Sequence, residues 1–247
     1  MQKRPAAKKT PNVHRAKIRF GKIIGMGQRQ KGHIVEEALI VERDARGKEI
    51  ARHAAVAKRR KFAFDTTRKE LAQMQSAYRS FRNAGLPVPA FSTVFMRRKG
   101  PDGKPEKRYL MLFAENMKAK HGPLIDVHLG GEPLFLRKLA VSKDAGLIKE
   151  LASDFATISR LGYSTTFIDF WHFYRKPEGG YGRVIVDLDG FFRSKPDKSA
   201  SHGHGSKFWL RSNFHEFKDY MGKKEFELFC GEYTRLSGER IPDLTLP

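Results

Sequence analysis

Four stretches of this chain carry residue types and spacings suited to chemistry. From Arg19 to Gly32 it reads Arg-Phe-Gly-Lys-Ile-Ile-Gly-Met-Gly-Gln-Arg-Gln-Lys-Gly, a short β-like run followed by Gly25, Gly27 and Gly32. Backbone amides freed of side chains can wrap a phosphate, and the same pattern also makes an ordinary turn. The run Val184-Ile185-Val186 ends in Asp187-Leu188-Asp189-Gly190. A buried strand end offers hard oxygen ligands to a divalent cation in this way, although Asp189 can equally cap the turn that follows. Between Gly162 and Phe173 the sole carboxylate is Asp169, three residues before His172. The aromatic residues around it, Phe167, Trp171 and Phe173, have the composition of core packing. Lys58 opens the run Lys58-Arg59-Arg60-Lys61, which in isolation reads as a solvated or RNA-facing cluster.

Other candidates are poorer. His202-Gly203-His204 alternates histidines in a Ser/Gly segment without nearby carboxylates, which favours a flexible loop over a zinc site. Cys230 follows Phe229 on an expected helix and reads as a buried, inert thiol. There is no Gly-x-Ser-x-Gly elbow and no His-Glu-x-x-His, so serine hydrolase and zincin chemistry have no support.

The elements that must position these residues follow from periodicity. Apolar residues between His33 and Glu42, the Asp44-Ala45-Arg46-Gly47 turn and the stretch Ile50 to Phe64 predict a β-meander. Thr66 or Thr67 caps a helix through Glu70, Leu71, Met74, Ala77, Tyr78 and Phe81, stopped by Asn83-Ala84-Gly85. Two strands are predicted over Ala90 to Met96 and Arg108 to Ala114, joined across Gly100 to Pro105. An amphipathic helix runs through Leu147, Ile148, Leu151, Phe155, Ile158 and Leu161 to Gly162. A final helical region spans Phe208 to Leu236. No internal repeat is visible.

The chain has 247 residues, with 48 Lys+Arg against 27 Asp+Glu for a net charge of +21. A hydrophobic content of 40% with 19 Phe is enough to build a core, which excludes a wholly disordered polybasic protein. The single cysteine excludes an internal disulfide and a Cys-based zinc cluster, and suits a reducing compartment. No apolar run approaches the roughly 18 to 20 residues of a membrane span, and the N-terminus lacks the apolar stretch of a secretory signal. The expectation is a soluble intracellular protein with no membrane partner. The cytoplasm is the expected compartment, with nuclear import the alternative in a eukaryote because Lys3-Arg4-Pro5-Ala6-Ala7-Lys8-Lys9 resembles the front of a bipartite import signal.

Charge is unevenly placed. Ten cations precede the first acid, Glu36, among them Lys3, Arg4, Lys8, Lys9, Arg15 and Lys17, and five more lie between Glu49 and Asp65 without an acid, among them Arg59, Arg60 and Lys61. A basic arm rich in Pro, Ala and Lys cannot bury itself and gains most by displacing counterions from a phosphate backbone. RNA or a ribonucleoprotein is the expected partner of these residues; the alternative is a solvated tail.

Taken in order, a glycine loop, strands with a lysine, a helix with an acid, two strands, a helix and a strand ending in Asp-x-Asp-Gly resemble a protein-kinase-like phosphotransferase of the atypical or small-molecule kind. Asn83-Ala84-Gly85-Leu86-Pro87-Val88-Pro89 is similar to the helix-to-strand junction of such kinases. The resemblance covers residues 20 to 195. It implies an α+β, two-lobed fold: a flexible basic arm over residues 1–18, an antiparallel N-lobe sheet with one helix over 19–116, and a mainly helical C-lobe over 117–247. It also implies ATP and Mg2+ as cofactors. Gly25, Gly27 and Gly32 would cradle phosphates. Lys58 in Ala55-Val56-Ala57-Lys58 would hold the α/β-phosphates, with Lys61 as fallback, and Glu70 would position the lysine. Asp187 would bind the metal.

The catalytic loop departs from the family pattern: matching the family's Asn to His172 puts Phe167 at the base position. Either Asp169 and His172 do the work, with Asp169 as base and His172 as second metal ligand, or the base is gone. Two readings result, a kinase-like phosphotransferase acting on or near a polyanionic partner, and a catalytically inactive kinase-like or other α+β protein that binds RNA or a ribonucleoprotein.

Overall fold

In the computed structural model the residues described are 15–26, 33–60, 68–99, 105–113, 115–126, 144–165, 168, 170–186, 188, 191–193 and 206–241. They fall into two units. One holds the described residues of Met1–Asp65 and Ala90–Asn116, the other those of Thr66–Pro89 and Met117–Pro247.

The first unit is one antiparallel sheet. Its strands are β1 (Arg15–Met26), β2 (His33–Arg43), β3 (Glu49–Arg60), β4 (Phe91–Lys99) and β5 (Pro105–Phe113), in the order β1-β2-β3-β5-β4. β-Branched and alternating apolar residues suit a pleated surface, and on one face Ala38, Ala55 and Ala57 pack with Ile18 and Ile40. The meander and the second hairpin are thus present, the latter paired as far as Lys99 with Pro105. The Asp44 turn is held by its own carboxylate: Oδ1 accepts from Arg46 N and Lys48 N, both at 2.9 Å. β1 begins at Arg15, so Arg15 and Lys17, expected in the flexible arm, are strand residues paired with Arg43 and Val41.

The second unit holds α1 (Arg68–Asn83), α2 (Met117–His121), β6 (Ile125–Asp126), α3 (Ala145–Arg160), β7 (Tyr163–Thr165), β8 (Trp171–Arg175), β9 (Tyr181–Ile185), β10 (Phe191–Arg193), α4 (Ser206–Tyr220) and α5 (Lys223–Ser237). The fold is therefore α+β. α1, expected with the sheet, groups instead with this unit. It buries Met74, Ala77 and Phe81, as its periodicity requires, and Phe81 meets Tyr163 and Phe191 edge-on at 5.2 and 4.9 Å. The helix stops at Gly85, whose φ of +77° strains any other residue; Gly85 N donates to Arg82 O and Leu86 N to Phe81 O. Its cap at Thr66 or Thr67 lies outside the described residues.

α3 begins where Asp144 Oδ1 accepts from Leu147 N at 3.0 Å. Phe155 on its buried face packs against Phe214 and Phe217 of α4 and Phe229 and Tyr233 of α5. Burial of each such ring stabilises by about 1.5–3 kcal/mol before ordering costs. The final helical region is two helices, because the chain turns at Met221-Gly222. Tyr233 OH donates to Glu239 Oε2 at 2.5 Å with Ser159 Oγ at 3.3 Å, tying the end of α5 to α3. No described helix is long and apolar enough to cross a membrane.

Candidate functional site

In the sheet, Gly25 lies opposite Val35, Val35 opposite Lys58, Lys58 opposite Met111, and Met111 opposite Thr93. One row thus crosses all five strands. Directly paired residues share a face, so Gly25 and Lys58 stand on one face two strands apart, about 10 Å by strand spacing. Gly27, Gly32 and Lys61 lie outside the described residues. Arg59 and Arg60 follow Lys58 in β3, opposite Ile34 and His33. On the other face Glu36 is buried, opposite Ala57 and Ile23. Sequence reading passed over this carboxylate because it begins an acidic pair, Glu36-Glu37, of which only Glu37 is exposed.

In the second unit, Glu70 is in the first turn of α1. Along α1, Ser76 Oγ and Ser80 Oγ approach Tyr163 OH at 2.9 and 3.4 Å, fixing the helix to β7. The junction after α1 is tied to β9, since Ile185 N donates to Pro87 O at 2.8 Å. The next residue, Val186, donates its N–H to Phe170 O at 3.1 Å. Phe170 directly follows Asp169, and Val186 directly precedes Asp187. Asp169, Asp187 and Asp189 are outside the described residues, yet their neighbours are held: Ile168 N donates to Glu216 Oε2 at 3.3 Å, and Phe191 N to Leu188 O at 3.4 Å.

β8 alternates as a strand must. Trp171 and Phe173 are fully buried, while His172 and Tyr174 are half-buried on the other side. His172 pairs with Asp126 of β6 and Val184 of β9. The aromatic segment therefore serves as core at Trp171 and Phe173, and Phe167 lies outside the described residues.

The β8–β9 hairpin is locked to α3 by an ion network. Arg183 donates from Nε to Asp154 Oδ2 at 2.5 Å and from Nη2 to Asp154 Oδ1 at 2.8 Å, and it also contacts Glu150. Trp171 Nε1 donates to Asp154 Oδ2 at 3.2 Å. Burial pushes the Asp154 carboxyl up, and the Arg183 fork and the indole N–H act against that rise. Sequence reading missed Asp154. Its signal was an acid within the apolar stripe Leu151, Phe155, Ile158, where an unpaired charge would be costly.

Among the described residues no three or more His, Cys, Asp or Glu side chains cluster to hold a metal, and His202 and His204 fall outside them. The arm residues Lys3, Arg4, Lys8 and Lys9 are also outside.

No protein-family model matches the chain. No curated protein matches it either. Among solved structures, it is similar to the Rio2 kinase of Chaetomium thermophilum, determined as an ADP/Mg2+-phosphoaspartate complex, at 11% identity and a TM-score of 0.34. The match covers 92% of this chain and 58% of that one. This chain thus spans less than two thirds of that structure, and a likeness of this size does not define the fold.

Proposed function

We propose that this chain is a kinase-like phosphotransferase that uses ATP and Mg2+ on or beside a polyanionic partner. The observation that carries the reading is the Val186 N to Phe170 O hydrogen bond. Asp187 and Asp169, the acids assigned to metal and base, each lie one peptide from it in sequence. In this reading the Asp169 carboxylate takes the proton of the acceptor hydroxyl, and the Asp154–Arg183 lock keeps the strand leading to Asp187 in register. Lys58, sharing a row and a face with Gly25, meets the α/β-phosphates, with Gly27 and Gly32 supplying backbone amides and Glu70 orienting the lysine. Bound Mg2+ would neutralise charge developing on the phosphates. Asp187 suits so hard a cation; the imidazole of His172 suits it less, so Asp187 would be the principal ligand.

The buried Trp171 and Phe173 favour a second reading, in which the loop is structural and the chain is an inactive kinase-like or other α+β protein that binds RNA or a ribonucleoprotein through Lys3, Arg4, Lys8, Lys9, Arg15, Lys17, Arg59, Arg60 and Lys61. Transfer of label from γ-labelled ATP separates the two. The phosphotransferase reading expects Asp169→Asn and Asp187→Asn each to bring transfer to background. Transfer unchanged in both variants would contradict it, and ATP binding without transfer would favour the second reading.

A further inference from the structure

From Lys17 to Ile23, β1 presents an uninterrupted run in which only Ile18 is half-buried and the other six residues are exposed. Lys17, Arg19 and Lys22 carry three positive charges there without an acid. Phe20 at 39% and Ile23 at 48% are the large hydrophobic residues exposed among those described. β1 is an edge strand of its sheet. Cations interleaved with an exposed aromatic ring are what a phosphate chain with splayed bases requires: counterion release at the phosphates and a flat apolar surface for a base.

We infer that the β1 edge from Lys17 to Ile23 is a docking track for single-stranded nucleic acid, with Lys17, Arg19 and Lys22 on its phosphates and the Phe20 ring against a base. Lys17 and Arg19 are two residues apart and share one side of the strand, about 6.8 Å apart. Phe20 is on the other side, and the register shift between Phe20 and Ile23 returns Ile23 to that side, opposite Glu36 as Phe20 is opposite Ala38. A strand lying along the edge meets cations on one side and apolar surface on the other. On the cationic side the row continues through Val41 to Arg52. Two carboxylates lie on that side: Glu49, which is engaged by Arg52, and the exposed Glu37, whose side chain sits beside Gly21.

An added peptide strand is the competing occupant of an edge. Lysines on the edge and a bulge across Gly21-Lys22 are features that oppose strand addition, whereas a nucleic acid uses the lysines and needs no ladder. A single exposed ring can stack on a splayed base but not on one inside a duplex, hence the preference for single strands.

The inference rests on the polyanionic partner of the preceding reading, not on its nucleotide site. Its test is fluorescence anisotropy of the full chain with a labelled oligouridylate across a salt series. Phe20→Ala is expected to weaken binding about tenfold at unchanged salt slope, and Phe20→Tyr to retain it. The combined Lys17→Ala, Arg19→Ala, Lys22→Ala variant is expected to lower the slope of log affinity against log salt by about 2. Circular dichroism should be unaltered, since these side chains are exposed. The inference is overturned if Phe20→Ala binds like the wild type, if the triple variant keeps the full slope, or if polyglutamate or duplex competes as well as oligouridylate. Binding lost only with Lys3, Arg4, Lys8 and Lys9 changed to alanine would overturn the β1 track while leaving the basic-arm partner standing. No binding by the wild type would overturn both.

Discussion

Arg183 holds Asp154 through two parallel hydrogen bonds, from Nε to Oδ2 at 2.5 Å and from Nη2 to Oδ1 at 2.8 Å. The pair joins β9 to α3, and β9 is the strand that runs toward Asp187. A two-pronged bond fixes direction as well as distance, so the pair sets how β9 lies against α3.

The Asp154 and Arg183 side chains are 5% and 17% exposed, so removing either leaves a largely buried charge uncompensated. Arg183→Met should destabilise the fold by about 3–5 kcal/mol. Glu150, 42% exposed, touches the same guanidinium, and Glu150→Gln should cost less than about 1 kcal/mol. Urea unfolding of both variants checks the ranking; equal losses would contradict it. The double variant Asp154→Leu/Arg183→Met should recover part of the loss, because no unpaired charge remains.

Gly182 lies opposite Tyr174, and a Cβ added there would fall 2.3 Å from the tyrosine ring. The ring is stacked on His121 at 3.9 Å and so resists moving aside. Gly182→Ala should therefore destabilise by about 1–3 kcal/mol, the usual cost of overpacking. Adding Tyr174→Ala should remove most of the increment due to Gly182→Ala; strict additivity in the thermal unfolding of the four species would contradict this.

Burial, aided by Glu227, pushes the Cys230 thiol from 9.0 up to about 11. Native-state alkylation by iodoacetamide should follow an apparent pKa near 11, and half-maximal rate near pH 9 would refute it. The folded state prefers the neutral thiol, so the stability it contributes is complete below pH 9 and is lost as pH rises through about 11. Cys230→Ala should flatten that decline in unfolding free energy.

Much of this arrangement was legible. The apolar spacing of Met74, Ala77 and Phe81 and the stop at Gly85 define α1, and Leu147 to Ile158 define α3, because helical period and a left-handed glycine are local properties. What is not local was harder to read. The pairing that puts Lys58 in the row of Gly25 depends on register across three strands. The grouping of α1 with the second unit depends on Ser76 and Phe81 meeting Tyr163, a contact more than eighty residues away in sequence. The partners that explain Asp154 are Trp171 and Arg183, 17 and 29 residues away in sequence. The strand character of Arg15 to Ile18 was masked by composition, since edge strands carry lysine and arginine as readily as an arm does.

Calorimetric titration of ATP, with and without Mg2+, into the wild type, Lys58→Ala and Asp187→Asn tests the central claim most directly. The kinase-like reading predicts Mg2+-dependent binding by the wild type, affinity lost in Lys58→Ala, and a titration indifferent to Mg2+ in Asp187→Asn. Wild-type protein that takes up no ATP in either condition, or binding that neither substitution alters, would contradict it.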